Sequence, residues 1–419
     1  MSLAATTSPP CCQGCGAPLS HRLVDLGVQP LVNAYLPPEQ ADVPEPVYPL
    51  QAWLCEQCLL VQVNQVVPPD RIFSDYAYFS SYSDSWLAHA RGYAEEMVAR
   101  FELGPTSQIV EIASNDGYLL QYFVGMGLSA YGIEPAANVA SVAIARGIPT
   151  EIDFFGEETA RRLAGEGRSA DLLAAKNVLA HVPDVNDFVR GVRILLKPGG
   201  VFTVEFPHLL NLLRDVQFDT IYHEHFTYLS LLAVRNLFDR HGLAIFDVEQ
   251  QPTHGGSLRV YAAHRNAGRM PHPRVAQLLE EEIGAGLDRP SGYEGFEQKV
   301  RALREGLLAF LAEAKARGRT VVAYGAAAKG NTLFNYCGIT AADIGFAVDR
   351  SPAKQNKLLP GSHIPVRPVD ALIEARPDYV LILPWNLVDE IVGQLPEVVA
   401  WGGRFVTAVP SIRFHDRGH

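Results

Sequence analysis

The sequence predicts an α/β protein in three parts. A small cysteine-bearing module covers residues 1–72. A doubly wound, largely parallel domain covers 73–267, and a second, smaller α/β domain covers 268–419. Three observations predict this. Two Cys-x-x-Cys pairs, Cys12/Cys15 and Cys55/Cys58, sit near the start. Short apolar strands then alternate with amphipathic helices from Gln108 onward, the pattern of a parallel sheet. After a helical stretch the alternation restarts near Thr320.

The bulk composition fits. The 419 residues are 48% hydrophobic and 19% charged, enough to build buried cores. The net charge of −11 argues against a nucleic-acid footprint, which needs clustered positive charge. No apolar run is long enough to span a membrane. The start MSLAATTSPPCCQGC is not patterned as a signal peptide, so a cytoplasmic location is expected. Nothing in the sequence implies an oligomer.

Taken in order, each Cys-x-x-Cys pair can present two thiolates from a tight turn. Cys12, Cys15, Cys55 and Cys58 together supply the four sulfurs of a tetrahedral Zn²⁺ site. Such a closed site supports folding and leaves no position for a substrate. A redox role fits less well, because a dithiol needs one such pair and no thioredoxin-like unit surrounds these. The segment Asp75–Tyr82 is then rich in aromatics. It is either a lead-in whose rings pack on the next domain or a flap over a ligand, with Tyr76, Tyr78 and Tyr82 carrying hydroxyls. A helix follows from Asp84 to about Phe101.

The central domain reads as strand QIVEIA, helix, strand SAYGIEP, helix, strand PTEIDFF, helix and strand ADLLAAKNVL. A helix VNDFVRGVRILLKPGG, closed by Pro-Gly-Gly, leads to strand VFTVEFP, and strands GLAIFDVEQ and SLRVYAAHR finish the sheet. A dinucleotide site would show G-x-G-x-x-G after the first strand. Instead Glu111 closes that strand, followed by Ala113, Asn115 and Gly117. A carboxylate there would repel a pyrophosphate but suits a cationic amino-acid moiety, and Gly117 allows close backbone approach. Glu134 ends the second strand and can accept from ribose hydroxyls. Asp153 and Phe154 end the third and suit the amino group and face of adenine.

This ordered set resembles the class I S-adenosylmethionine-dependent methyltransferases, a Rossmann-like fold. Ala113 and Asn115 depart from it, standing where that family has glycines. The resemblance places Asn177 and His181, after the fourth strand, near the methionine end of the cofactor and the substrate. With the four cysteines, NAYLPP, DTIYHEHFTYLS, HGGSLRVY and AYGAAAKGNTLFNY, the whole chain resembles the three-domain sugar C-methyltransferases of deoxysugar and antibiotic biosynthesis. The likeness is to members on the D-tetronitrose route. It implies S-adenosylmethionine, structural zinc and a dTDP-linked 3-amino-4-keto sugar methylated at C-3′.

C–C bond formation to a methyl sulfonium needs a carbanion, and a neighbouring ketone lets one base make it as an enolate. His225 is the expected base, with Glu224 orienting it or tuning its pKa. Tyr222 is the alternative base or a donor to the enolate oxygen. Tyr76 and His181 are further candidates near the sugar, and His223 is expected to pack or cap. A zinc site in Tyr222–Phe226 is disfavoured, because adjacent His-Glu-His side chains do not converge. In the last domain, the turn Tyr324–Thr332 offers Lys329 and Asn331 to a diphosphate. A relaxed dinucleotide site and a vestigial scaffold remain the alternatives there. The rival functions are an O- or N-methyltransferase of another small metabolite, and a degenerate zinc-containing interaction protein.

Overall fold

A computed structural model describes residues 10–64, 67, 80–82 and 84–415. Tyr76 and Tyr78 lie outside these residues, and of Tyr82 only the backbone is described. The chain folds into two compact units. One holds residues up to Leu19, Cys55–His208 and Phe226–Arg289, and the other holds Ser20–Leu54, Leu209–His225 and Pro290 onward. These units cut across the three segments read from the sequence. The hairpin between the cysteine pairs, β1 (His21–Gln29) with β2 (Tyr48–Leu54), groups with the C-terminal residues.

In the first unit, the short strand β3 (Val61–Val63) follows the second cysteine pair. The central sheet then comprises β4 (Gln108–Ile112), β5 (Ser129–Ile133), β6 (Thr150–Glu151), β7 (Ala170–Lys176) and β8 (Leu196–Pro207). The two-residue β9 (Thr227–Tyr228) pairs with β3. The sheet is completed by β10 (Leu243–Gln251) and β11 (Ser257–His264). The order is β10-β11-β8-β7-β4-β5-β6. The strands from β4 to β8 pair in parallel, and β11 runs antiparallel to both β8 and β10. The chain leaves β4 toward β5 and β6, then returns on the other side to β7. The β4/β7 boundary is therefore the topological switch point, where ligands of open α/β sheets bind beyond the carboxyl ends of the strands.

Packing explains the strand sequences. Ile109, Val110 and Ile112 of β4 are all buried, the continuous apolar run of a strand covered on both faces. The helix Asp84–Arg100 places Ala90, Tyr93, Ala94 and Met97 in a core with Ile109, Phe123 and Tyr261. Burying one large apolar side chain contributes about 1.5–3 kcal/mol. Asp184 caps the helix Val185–Leu195 by accepting from the Asn186 and Asp187 amides.

Two elements differ from expectation. The helix after β7 is expected to run up to Pro-Gly-Gly, but it ends at Leu195, and Leu196 pairs with Ala170 as β8 begins. The proline at 198 cannot donate to a helix, so the strand ladder takes over. The third strand shrinks to Thr150–Glu151, leaving Asp153 and Phe154 in the loop beyond it.

The second unit carries its own sheet, β14 (Val366–Arg367), β13 (Ala347–Val348), β12 (Val321–Tyr324), β15 (Tyr379–Ile382), β16 (Arg404–Thr407) and β17 (Arg413–His415), in that order. All but β17 are parallel. Val322, Val348, Leu372, Val380, Ile391 and Phe405 form its core. The long helix Phe296–Ala316 matches the expected helical stretch. The short helices Asp370–Ala375, Val388–Gln394 and Pro396–Ala400 are additions to the pattern read from the sequence. Among the described residues no helix is long and apolar enough to cross a membrane.

Candidate functional site

Four thiols meet in the first unit. The sulfurs of Cys12, Cys15, Cys55 and Cys58 all lie within 4.8 Å of one another. Cys12–Cys58 and Cys15–Cys55 are each 3.5 Å apart. A tetrahedral Zn²⁺ with Zn–S near ~2.3 Å sets sulfurs about 3.8 Å apart, so the set fits that ion. Gly16 (φ 78°) and Leu59 (φ 65°) take left-handed conformations that let the chain reverse after each pair.

At the switch point, Glu111 ends β4 fully buried, and neither carboxylate oxygen has a hydrogen-bond partner among the described residues. Burial pushes its pKa well above the ordinary value; the nearby Tyr118 hydroxyl and the Lys176 charge only moderate this. Ala113 (φ 54°), Asn115 (φ 51°) and Gly117 (φ 79°) adopt the left-handed conformations that glycines would take, so the departure in sequence preserves the shape. A Cβ on Gly117 would lie 2.3 Å from the Ile148 Cδ1 atom. Glu134 accepts from the Asn115 and Ala136 amides, each at 2.9 Å, and so fastens this turn to the end of β5. Each of its oxygens retains a lone pair for a further donor.

Phe154 is 50% exposed, a ring available for stacking. Asp153 instead accepts from Thr159 at 3.0 Å and Arg162 at 3.2 Å, which ties it to the following helix. Behind the turn, Lys176 donates to Glu205 at 2.5 Å, and Arg259 and His89 donate to the same carboxylate. Burial works against this charge, yet Lys176, His89 and Arg259 hold Glu205 well below the usual carboxylate range. Asn177 (φ 53°) bonds through its amide nitrogen to His254 Nε2 at 3.0 Å. His181 ends the single helical turn Leu179–His181.

An unmet buried carboxylate beside a strained turn costs stability unless a ligand supplies donors. Glu111, Glu134 and Phe154 have the chemistry to hold the α-ammonium, ribose and adenine of S-adenosylmethionine, in that order.

The second unit holds the Tyr222–His225 segment. His225 Nδ1 lies 2.8 Å from the Thr220 carbonyl and so carries the proton, and Nε2 lies 2.9 Å from the Tyr222 hydroxyl. The two rings lie 4.0 Å apart. Glu224 is buried and accepts from Asn33 Nδ2 on both oxygens, at 2.9 and 2.8 Å. Burial pushes Glu224 up to about 7, while Asn33 and the Lys354 charge pull the other way. The Thr220 carbonyl thus takes the ring-orienting role expected of Glu224. His223 is buried, bonds the Pro49 carbonyl at 3.2 Å and sits edge-on to Tyr48, the packing role expected of it.

In the same unit, Gly325 (φ 91°) opens the turn after β12, and a Cβ there would lie 2.6 Å from Pro384. Lys329 donates to Asn386 at 2.6 Å and lies 4.3 Å above the Trp385 ring. Asn331 is fully enclosed and donates to the Val32 carbonyl at 2.6 Å, so it braces the turn from inside. Asn33, Asp219, Asp349 and Lys354 are not singled out by the sequence. Asn33 lies inside the NAYLPP segment, but its partner Glu224 is remote in the chain. Asp219 is fully buried with its pKa raised to about 6 by burial, and it accepts from the Trp385 indole at 2.8 Å.

Known proteins bear on these sites. The chain is 36% identical to C-methyltransferase NovU of Streptomyces niveus over 402 residues, covering 96% of each chain. It belongs to the C-methyltransferase family. Family profiles describe a zinc binding domain over residues 12–73, a methyltransferase domain over 86–248 and a C-methyltransferase C-terminal domain over 252–410. The central residues also match a ubiquinone biosynthesis O-methyltransferase of Methylobacterium sp., 30% identical over 28% of this chain and 49% of that protein. The CcbJ methyltransferase structure from Streptomyces caelestis is 13% identical, covers 47% of this chain and 99% of its own, and gives a TM-score of 0.37. This C-methyltransferase therefore combines an S-adenosylmethionine fold with a four-cysteine zinc module.

Proposed function

We propose that this C-methyltransferase acts at C-3′ of a dTDP-linked 3-amino-4-keto-deoxysugar, in deoxysugar and antibiotic biosynthesis. The bound cofactor supplies an electrophilic methyl sulfonium. The protein's task is to make and hold the carbon nucleophile. The observation that carries this reading is the Thr220–His225–Tyr222 relay. With its Nδ1 proton donated to a backbone carbonyl, His225 directs the basic lone pair of Nε2 toward Tyr222. A C-methyltransferase needs such a base, whereas an O- or N-methyltransferase works on heteroatoms that already carry lone pairs.

With the sugar in place, Tyr222 turns its hydroxyl from His225 to the 4′ oxygen, which frees the Nε2 lone pair. His225 Nε2 then takes the C-3′ proton, the electron pair moves to the 4′ oxygen, and Tyr222 stabilises the enolate in place of water. The bound cofactor would supply the methyl group to this carbon and leave as its thioether, and His225 gives its proton to solvent. Glu111, Asn115, Gly117, Glu134, Asp153, Phe154 and Asn177 bind the cofactor in this reading. His181 borders the sugar in this reading, and Lys329 offers a further donor to the diphosphate, with Asn331 bracing its turn. Glu224 adds a buried acid whose charge changes near neutral pH.

The test is His225→Asn. Turnover should fall by about 10²–10⁴-fold, the range for a general base, while S-adenosylhomocysteine binding stays as in the parent. Solvent deuterium should enter C-3′ in the parent without methyl transfer. Turnover near the parent rate, or methylation of oxygen or nitrogen, would overturn the proposal.

A further inference from the structure

We infer that His254 is a positioning residue for the cofactor, acting through Asn177. This rests on the reading that Asn177 faces the cofactor's amino-acid end. The two residues sit at the same end of the sheet, Asn177 just beyond β7 and His254 in the turn leading into β11. Both are non-glycine residues in the left-handed region, at φ 53° and 56°. The turn containing His254 continues through Gly255 (φ 85°) and Gly256 (φ 104°), where glycine takes positive φ at no cost, so the strain falls on His254 and Asn177. Strain of this kind persists where surroundings enforce it, and it gathers at working sites.

The contact between them has a direction. The Asn177 amide nitrogen bonds His254 Nε2 at 3.0 Å, so Nε2 accepts and His254 carries its proton on Nδ1. That bond decides which way the amide faces. Its other end, Oδ1, is buried and has no partner among the described residues. Asn177 is held from behind as well, since its backbone amide donates to the Glu205 carbonyl at 2.8 Å. The His254 ring is fixed in turn by Trp86, edge-on at 5.4 Å, and Trp86 stacks on Tyr118 and His89.

Glu111 and Asn177 thus flank the switch point with three buried oxygens that lack donors. A primary ammonium brings three N–H groups and a positive charge. His254 keeps the Asn177 oxygen, rather than its NH₂, directed at that ammonium. Without the ring the amide can reverse and present donors to a cation.

Calorimetry with S-adenosylhomocysteine tests this on the full-length protein, which avoids any need for the sugar substrate. Four proteins are compared: the parent, His254→Leu, Asn177→Ala and the double variant. His254→Leu should bind about fivefold to tenfold more weakly, the effect of one lost hydrogen bond. The double variant should bind no more weakly than Asn177→Ala, because His254 then has nothing left to position. His254→Gly tolerates the left-handed backbone and should show the same loss if His254→Leu folds poorly. Parent-like affinity in both His254 variants, or losses that multiply in the double variant, would overturn the inference and leave the cofactor site standing. A parent that fails to bind S-adenosylhomocysteine would overturn both.

Discussion

The protein contains two first βα turns of the same architecture, and they are finished in opposite ways. After β4, the turn Ala113–Gly117 adjoins Glu111, a buried carboxylate with no hydrogen-bond partner among the described residues. After β12, the corresponding turn is filled by its own chain. The Ala326 amide donates to Asp349 at 2.7 Å, and the Ala326 carbonyl accepts from Tyr35 at 2.6 Å and Lys354 at 2.8 Å. Asp349 stands where a dinucleotide fold would offer an acid to ribose, and it accepts from the Ala326 and Ser351 amides much as Glu134 accepts from Asn115 and Ala136; what the second turn lacks is a counterpart of Glu111 in its strand. A nucleotide-type sheet therefore does not by itself make a nucleotide site. On the proposed reading, the unmet carboxylate of Glu111 sets the cofactor turn apart, while Asp349 and Lys354 occupy the turn after β12. Any substrate contact from the second turn must come from side chains such as Lys329.

The largest test of this contrast is Glu111→Gln. Removing one partner of a buried charged pair costs about 2–5 kcal/mol, so S-adenosylhomocysteine affinity should fall at least about 30-fold by calorimetry. The thermal midpoint without ligand should hold or rise, because a buried acid without donors is gone. A lower midpoint with unchanged affinity would reverse the roles assigned to the two turns.

Asp349→Ala and Gly325→Ala probe the filled turn. Asp349→Ala leaves the Ala326 amide without its acceptor, and Gly325→Ala drives a Cβ into Pro384. Each should destabilise the protein by about 1–3 kcal/mol in urea titrations, with S-adenosylhomocysteine affinity unchanged. Loss of that affinity without loss of stability would make the second turn a cofactor site.

The smallest effect is expected from Glu224→Gln, which sharpens the contrast between a buried acid with a donor and one without. Glu224 titrates near about 7 in the folded protein, above its ordinary value of 4.5. Its raised pKa means the folded state holds the proton more tightly. Its contribution to stability is therefore full below about pH 4.5 and is lost as pH rises through about 7. Unfolding free energies measured between pH 5 and 7.5 should slope less in Glu224→Gln than in the parent. An unchanged slope would show that Glu224 does not titrate there.

Features carried by local spacing were legible in the sequence. Cys12, Cys15, Cys55 and Cys58 do converge, and β4, β5, β7 and β11 fall within the segments expected of them. Glu111 stands out because an acid replaces the glycine pattern of a dinucleotide turn. What was not legible depends on partners distant in the chain. The chelation of Glu224 by Asn33 and the filling of the Ala326 turn by Tyr35 span hundreds of residues. Periodicity carries no information about such pairs. Asp153 is legible as an acid beyond the third strand, but its bond to Arg162 is not, because only the course of the following helix brings that guanidinium to it.

The path of the chain has a consequence for how the molecule is made. Each unit is assembled from three separate stretches, and the hairpin β1/β2 belongs with residues beyond Pro290. On the ribosome that hairpin emerges well before most of its unit, which lies beyond Pro290. Its apolar side chains Leu23, Val24, Leu50 and Ala52 must therefore wait for their neighbours through most of translation. The cysteine turns on either side of the hairpin can close on zinc long before that. Metal capture would then tether the waiting segment by both ends, shortening the search it must make when the final residues arrive.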